Sequence, residues 1–497
     1  MSDPIFVTTS GPVRGEAREG VFAFRGLPYA AAPVGPLRFK EARPAVWSDV
    51  RDATQPGPTY PQILRDFDAL DLKSVVGEGW RKGDDYLNVS IWTSDPAALG
   101  MPVMVFIHGG GFVAGCNDAP VLEGWAFAKR DVVFMSINYR MGIDGFLPVE
   151  GAPTNLGLRD QIAALQWIKA NAAAFGGDPD NVTVFGESAG AMCIADLVAS
   201  PLAKGLFRRA IIQSGHGEMV RTLPVARRLT RKLAKLLKIK PDVDGFNSRP
   251  MEEQLKALEK VQQPFPNLDL REKNGREPAY GLSRFLPVFG DEVLPEHPLV
   301  ALKKGAGADV DVLIGTNSEE MNVYFVPTGV KKKINRLLSW FFLRRSEPNA
   351  GKVLKAYESG GSKKAGEVFA ETTTDLVFRA PGRRYAAAHR GRTWFYEFGW
   401  RSPALNGELG ACHAIEIPFV FNTLACATGP KGLVGEDPPQ ELADRIQDLW
   451  VSFARNGGLS WPEYDERTRQ VYQLENARAV AETDMPADRF PVPLPTA

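Results

Sequence analysis

Val182-Thr183-Val184-Phe185-Gly186-Glu187-Ser188-Ala189-Gly190-Ala191-Met192-Cys193-Ile194-Ala195-Asp196-Leu197-Val198 is the stretch that decides the fold. A short apolar run leads into Gly-x-Ser-x-Gly, and apolar helix formers follow. A serine in that context sits on a tight strand-to-helix turn, with its side chain held out at the end of the strand. The turn strains the backbone at the serine, at a cost of about 1–3 kcal/mol. Side chains two residues to either side would collide across the turn, so Gly186 and Gly190 leave room. The helix start behind Ser188 presents free N–H groups and the positive end of a dipole, both favourable to a developing oxyanion.

Outward from this turn the chain repeats the same texture. Val103 to Ile107, Val132 to Ile137, Ala210 to Ile212 and Val310 to Ile314 are continuous apolar runs. They do not alternate, which suits strands buried on both faces of a parallel sheet. Between them, Asp160 to Phe175 carries Ile162, Leu165, Ile168 and Ala172 at helical spacing, closed by Gly176-Gly177. The first 60 residues read as short strands and turns. The expectation is an α/β fold with a central, mostly parallel sheet flanked by helices.

His108-Gly109-Gly110-Gly111-Phe112 follows the run that ends at Ile107. Glycines there let backbone N–H groups turn toward a substrate, and an HGGG-type motif before the nucleophile suits an oxyanion site. Gly110, Gly111 and Ala189 are the expected donors. A phosphate loop is the weaker reading, because no Lys-Ser/Thr follows the glycines.

A serine needs a base, and five histidines are available: His108, His216, His297, His389 and His413. In this strand–elbow–helix arrangement the chain order is serine, acid, histidine. His108 precedes Ser188, and His216 follows it too closely. His297 precedes the best acids, and His389 falls in a helical pattern. His413 lies in a loop after the strand Thr393 to Phe398 and is the expected base. The acid should follow the run Val310 to Ile314, in Gly315-Thr316-Asn317-Ser318-Glu319-Glu320-Met321. Glu319 and Glu320 compete, and spacing alone leaves the choice open.

Composition narrows the function further. The 497 residues carry 59 Lys+Arg against 59 Asp+Glu, and a neutral chain lacks the basic excess that nucleic-acid binding needs. Hydrophobic residues at 44% exclude a disordered chain. Cys116, Cys193, Cys412 and Cys426 form no CxxC pair, so a zinc ribbon or thioredoxin site is excluded. The N-terminal residues lack the basic and apolar regions of a signal peptide. No run reaches the roughly 18 apolar residues of a transmembrane helix. The expectation is a cytoplasmic protein without metal or cofactor, either monomer or homodimer.

These motifs resemble the type-B carboxylesterase family, which includes bacterial esterases and the cholinesterases. The resemblance runs along most of the chain. It includes Phe24-Arg25-Gly26-Leu27-Pro28-Tyr29-Ala30, Pro36-Leu37-Arg38-Phe39, Ile137-Asn138-Tyr139-Arg140 and Asn155-Leu156-Gly157-Leu158-Arg159-Asp160-Gln161. Phe175 to Gly190, Gln213-Ser214-Gly215 and Gly410-Ala411-Cys412-His413 complete it. The resemblance implies an α/β-hydrolase fold and a serine carboxylesterase acting through Ser188, Glu320 and His413, with an acyl-enzyme intermediate and a small-molecule ester substrate. It selects Glu320 by the family's Gly-x-x-x-Asp-Glu-Gly pattern, from which this chain departs at Glu319 and Met321. It implies that Glu187 and Ser214 support the triad from beneath. Tyr86 stands where many relatives have a cysteine, which agrees with a reducing compartment.

Residues 1–497 are expected to form one such domain, with a lid or surface insertion around 327–350. Within it, Lys331 to Arg345 is basic at both ends and aromatic in the middle. A lid, a partner surface and a membrane-surface helix are the functional readings. The plainer expectation is a helix packing its aromatic face on the core. Leu282 to Phe289, Phe325 and Leu337 to Phe342 read equally as gorge lining or core. Two rivals to the esterase remain. One is a hydrolase of a carbamate, amide or bulky special ester using the same triad; the other is a non-catalytic binding relative.

Overall fold

The continuous apolar runs become strands buried on both faces. In the computed structural model the described residues are 4–64, 67–263, 267–358, 363–491 and 493–495. Residues 1–3, part of the N-terminus read for a signal peptide, lie outside them. The main sheet contains β1 (Glu16–Arg18), β2 (Val21–Pro28), β3 (Asn88–Thr93), β4 (Met101–Ile107), β5 (Val133–Ile137) and β6 (Gly177–Glu187). It continues through β7 (Arg209–Gln213), β8 (Asp311–Asn317), β9 (Thr393–Phe398), β10 (Gln470–Gln473) and β11 (Arg478–Ala481). The spatial order is β11-β10-β9-β8-β7-β6-β4-β5-β3-β2-β1.

From β5 through β4 and β6 to β10 every pairing is parallel. The β1, β2, β3 edge and the β10–β11 edge pair antiparallel, so the sheet is mixed around a parallel centre. The centre explains why the strands do not alternate. On β4, Val103, Val105 and Ile107 enter one core while Met104 and Phe106 enter the other. Phe185, Ile211 and Leu313 join the second core beside them, while Val184, Ile212 and Ile314 join the first.

Helices cover both faces. Helix α1 (Leu156–Asn171) begins four residues earlier than its apolar pattern suggests and ends in a 3-10 turn, Ala172–Phe175. Helix α2 (Ala189–Ala199) follows β6 directly and is buried throughout. Helix α3 (Arg336–Leu343) belongs to a small third core with Val353, Leu354, Tyr357, Val368 and Phe369. Helix α4 (Gln440–Asn456) buries Ile446, Trp450 and Phe453 against the second core. The aromatic-face expectation for 331–345 is overturned in part. Ile334, Ser339 and Leu343 are buried, but Leu337, Leu338, Trp340 and Phe341 are exposed. A helix this short has one inward face, and small or aliphatic residues occupy it. Phe285, Leu286, Val288 and Phe289 are buried core residues.

A buried ion pair ties α1 to the end of β5. Arg140 donates through Nε and Nη2 to the two oxygens of Asp160, at 2.7 and 2.6 Å, and its Nη1 donates to the Lys40 carbonyl. Neither side chain is exposed. Asp160→Ala leaves the guanidinium buried without a counter-charge and is expected to cost about 3–5 kcal/mol. The midpoint of urea unfolding checks this, and an unchanged midpoint would show that the pair carries no such weight.

Candidate active site

The site forms where β6, β7 and β8 end together. Register aligns Glu187 of β6 with Gln213 of β7, and Gln213 with Gly315 of β8. The ladder runs one step further, with Ser188 N donating to the Gln213 carbonyl and Ser214 N to the Gly315 carbonyl, at 2.9 and 2.8 Å. Both serines adopt positive φ, 55° at Ser188 and 51° at Ser214. For a non-glycine residue this is strained backbone. Ser188 is partly exposed while its neighbours are buried. Its carbonyl accepts the first bond of α2, from Met192 N at 2.8 Å.

The elbow glycines are required, for a reason slightly different from the expected one. A Cβ on Gly190 would lie 2.0 Å from the Ile107 carbonyl oxygen, and one on Gly186 would lie 2.5 Å from the same atom. The collision is mainly with the end of β4, and only secondarily across the turn. That close approach brings the glycine loop beside the serine. A Cβ on Gly109 would come within 3.1 Å of Ser188 Cβ. Gly110 and Gly111 have φ of 102° and 62°. The Gly110 carbonyl accepts from Val113 N and Ala114 N. Ala189 is the first residue of α2, so its N–H has no carbonyl one turn back. The loop is held from outside by Ser283, whose hydroxyl donates to the Gly111 carbonyl at 2.7 Å.

Glu320 and His413 meet through a 2.6 Å contact between Oε2 and Nδ1, with both side chains buried. The other oxygen, Oε1, accepts from Ser214 Oγ at 2.7 Å and from Asn317 N at 2.8 Å. The backbones are linked as well, His413 N donating to the Glu320 carbonyl. Met321, in the family's glycine place, has φ −74°, which any residue adopts. Glu319 points elsewhere. Its Oε2 accepts from Ala411 N at 3.0 Å and pairs with Arg401, and its Oε1 accepts from Asn322 Nδ2. Glu319 therefore clamps the histidine loop, and Gly410, whose φ of 63° favours glycine, packs against that carboxylate.

His413 Nε2 has no hydrogen-bond partner among the described residues. It lies 3.0 Å from Glu187 Oε1, out of line for a hydrogen bond, so that approach is a charge contact. The Ser188–His413 link is thus open in this structure, as it often is before substrate binds. Phe378 and Tyr324 cover the imidazole, with ring centroids 4.7 and 5.8 Å away.

Charge distinguishes the five histidines. Burial pushes His108, His216 and His297 down to about 4, and His389 is lowered for the same reason. At His413 burial also opposes the charged form, but Glu187 and then Tyr324 and Glu320 outweigh it and raise the pKa well above 6.5. Burial raises the Glu187 carboxyl despite His413. Beneath the site Glu416, pushed up to about 7 chiefly by burial, accepts from Gln213 Nε2 and Asn317 Nδ2. Trp450 Nε1 in turn donates to Gln213. Sequence reasoning missed Asn317, Glu416, Gln213 and Trp450. Only their polarity within apolar surroundings signals them.

An imidazole that is charged cannot accept a proton, so a rate that depends on His413 as base falls as pH falls through its raised pKa. Glu187→Gln removes the largest charge holding that pKa up. The acid limb of kcat/KM is expected to move to lower pH, with the alkaline plateau retained. A pH–rate profile of the two proteins checks this; coincident limbs would remove Glu187 from the titration.

A strained serine between a glycine loop and a carboxylate–histidine pair, at the carboxyl ends of a parallel sheet, defines the α/β-hydrolase fold class. The sequence profile of the carboxylesterase family matches residues 2–489. The chain belongs to the carboxylesterase family and is a carboxylic ester hydrolase. It is 36% identical over 491 residues to a para-nitrobenzyl esterase of Bacillus subtilis (strain 168), covering 96% of each chain. It is 34% identical to a phenmedipham hydrolase of Pseudarthrobacter oxydans, covering 94% of this chain and 92% of that one. A solved PNB esterase superposes with a TM-score of 0.83 at 34% identity, covering 98% of this chain and 99% of that chain. No helix among the described residues is long and apolar enough to cross a membrane.

Proposed function

We propose that the protein is a serine carboxylesterase working through an acyl-enzyme. Ser188 Oγ attacks the ester carbonyl while His413 Nε2 takes its proton. Glu320 holds the imidazole with its proton on Nδ1 and stabilises the imidazolium. The N–H groups of Gly110, Gly111 and Ala189 receive the oxyanion; losing one such donor typically costs about 10²–10³ in rate. His413 then protonates the leaving alcohol, and water attacks the acyl-enzyme by the reverse sequence. Ser214 fixes Glu320, and Glu187 sets the charge around His413. The observation that carries this reading is the 2.6 Å Glu320–His413 contact beside a serine held at φ 55°.

Residues 1–497 act as one catalytic unit in this proposal, because the site draws on positions from Gly110 to His413 on one sheet. A reducing, cytoplasmic setting suits four free cysteines, of which Cys426 is exposed. Hydrolysis of p-nitrophenyl esters from acetate to laurate tests the function. Activity with a chain-length optimum supports it and sizes the acyl pocket. Phenmedipham belongs in the same screen, since a relative at 34% identity is named for it. Turnover of phenmedipham without turnover of simple esters would favour the special-substrate reading. Failure on every substrate would contradict the esterase.

A further inference from the structure

The segment 331–345 contains six cations, Lys331, Lys332, Lys333, Arg336, Arg344 and Arg345, and no acid. In a chain of zero net charge this is a strong local excess. Lys332 pairs at the surface with Glu408 at 3.0 Å and Arg336 with Glu358 at 3.1 Å, and Lys331 donates to Asn322 Oδ1 at 2.8 Å. Exposed pairs of this kind are weak and leave the patch positive. The helix within it, α3, is already anchored. Leu343 and Ser339 point inward, and Asn335 caps the N-terminus by accepting from Leu338 N at 2.9 Å.

What the anchoring leaves outside is apolar. Leu337 is 71% exposed, and Leu338, Trp340 and Phe341 are about two-fifths exposed. Four large apolar side chains thus face solvent within five residues, on an ordered and capped helix. Trp340 lies near Gly351, and the Arg344 guanidinium sits over its ring, 4.6 Å from the centroid. Aromatic and leucine side chains in one band with lysine and arginine at the rim is the composition of a helix lying in a lipid interface.

We propose that α3 and its basic flanks form a docking face for an anionic lipid surface. Leu337, Leu338, Trp340 and Phe341 enter the acyl boundary. Lys332, Lys333, Arg336 and Arg344 meet the lipid phosphates. Charge argues against a second copy of this chain as the occupant, because two such faces would set cations against cations. The shape argues against nucleic acid, because the most exposed side chain, Leu337, offers no stacking surface on a convex helix. With only four apolar residues inserted, attachment is reversible and depends on anionic headgroups. This inference does not rest on the esterase reading.

Flotation of the full-length protein with vesicles tests it. The protein should float with vesicles of phosphatidylglycerol and phosphatidylcholine in equal parts, not with phosphatidylcholine alone, and added salt should weaken the binding. Leu337→Ser/Phe341→Ser should abolish flotation, with an unchanged thermal melting curve as the check on folding. Lys332→Gln/Lys333→Gln should lower the partition coefficient roughly thirtyfold, at about 1 kcal/mol per cation. Wild type that stays with the unbound fraction, or variants that float like wild type, would overturn the proposal. So would a dimer in sedimentation velocity that Leu337→Ser/Phe341→Ser dissociates.

Discussion

Ser188→Ala is expected to lower kcat for an aryl ester by about 10⁵–10⁶-fold, because removing the nucleophile of such a triad costs about as much as removing the triad. The residual rate comes from the glycine loop and from binding, which the substitution leaves in place. Alanine fits the site. It keeps the Cβ that faces Gly109 and needs no backbone change at φ 55°. Stability and KM should therefore stay near those of the wild type. His413→Ala should produce a loss of similar size, and the double variant should be no worse than either single one. Steady-state kinetics on p-nitrophenyl butyrate measures all three. A Ser188→Ala enzyme retaining more than about a hundredth of the rate would rule out Ser188 as nucleophile, given losses of the size stated.

The second large effect is at Glu320. Glu320→Gln is nearly isosteric and is expected to lower kcat about 10⁴-fold, the loss found when the acid of a related triad becomes an amide. The geometry explains why no orientation of the amide succeeds. Oε1 accepts from two donors, Ser214 Oγ and Asn317 N, while Oε2 faces His413 Nδ1. An amide nitrogen toward His413 turns Nδ1 into an acceptor and puts the imidazole in the wrong tautomer. An amide nitrogen toward Asn317 sets donor against donor in a buried site. Glu319→Gln is the control, because its carboxylate serves Ala411 N and Arg401 and touches no atom of the imidazole ring. It should cost far less than Glu320→Gln. A larger loss at Glu319 would exchange the roles of the two acids.

Those two glutamates show where sequence reading stops. The elbow around Ser188 is legible because one short pattern encodes a strand, a turn and a helix, all local. The apolar strands of the parallel centre are legible for the same reason. Glu319 and Glu320 follow the same strand, and only a family pattern separates them in sequence. What distinguishes them physically is a loop about 90 residues later, whose Ala411 N takes one carboxylate and whose His413 takes the other. Asn317 and Glu416 join across a similar distance. No spacing rule reports on such partners. The edge strands β1, β10 and β11 are short, and the residues of β1 and β11 are exposed or half-buried, so no apolar run announces them. The helix at 336–343 misleads in the opposite sense. An apolar stripe ordinarily means core, but this helix has apolar residues on more faces than the small third core covers.

The proposed function stands or falls with Ser188 as a nucleophile activated by His413. Covalent labelling with an aryl phosphonate ester, read by peptide mass spectrometry, tests it most directly because it does not depend on knowing the natural substrate. One phosphonyl group per chain is expected on Ser188, formed far more slowly in Glu320→Gln and not at all in Ser188→Ala. A label on another residue, or an unlabelled protein under conditions in which a control serine esterase is fully modified, would contradict it.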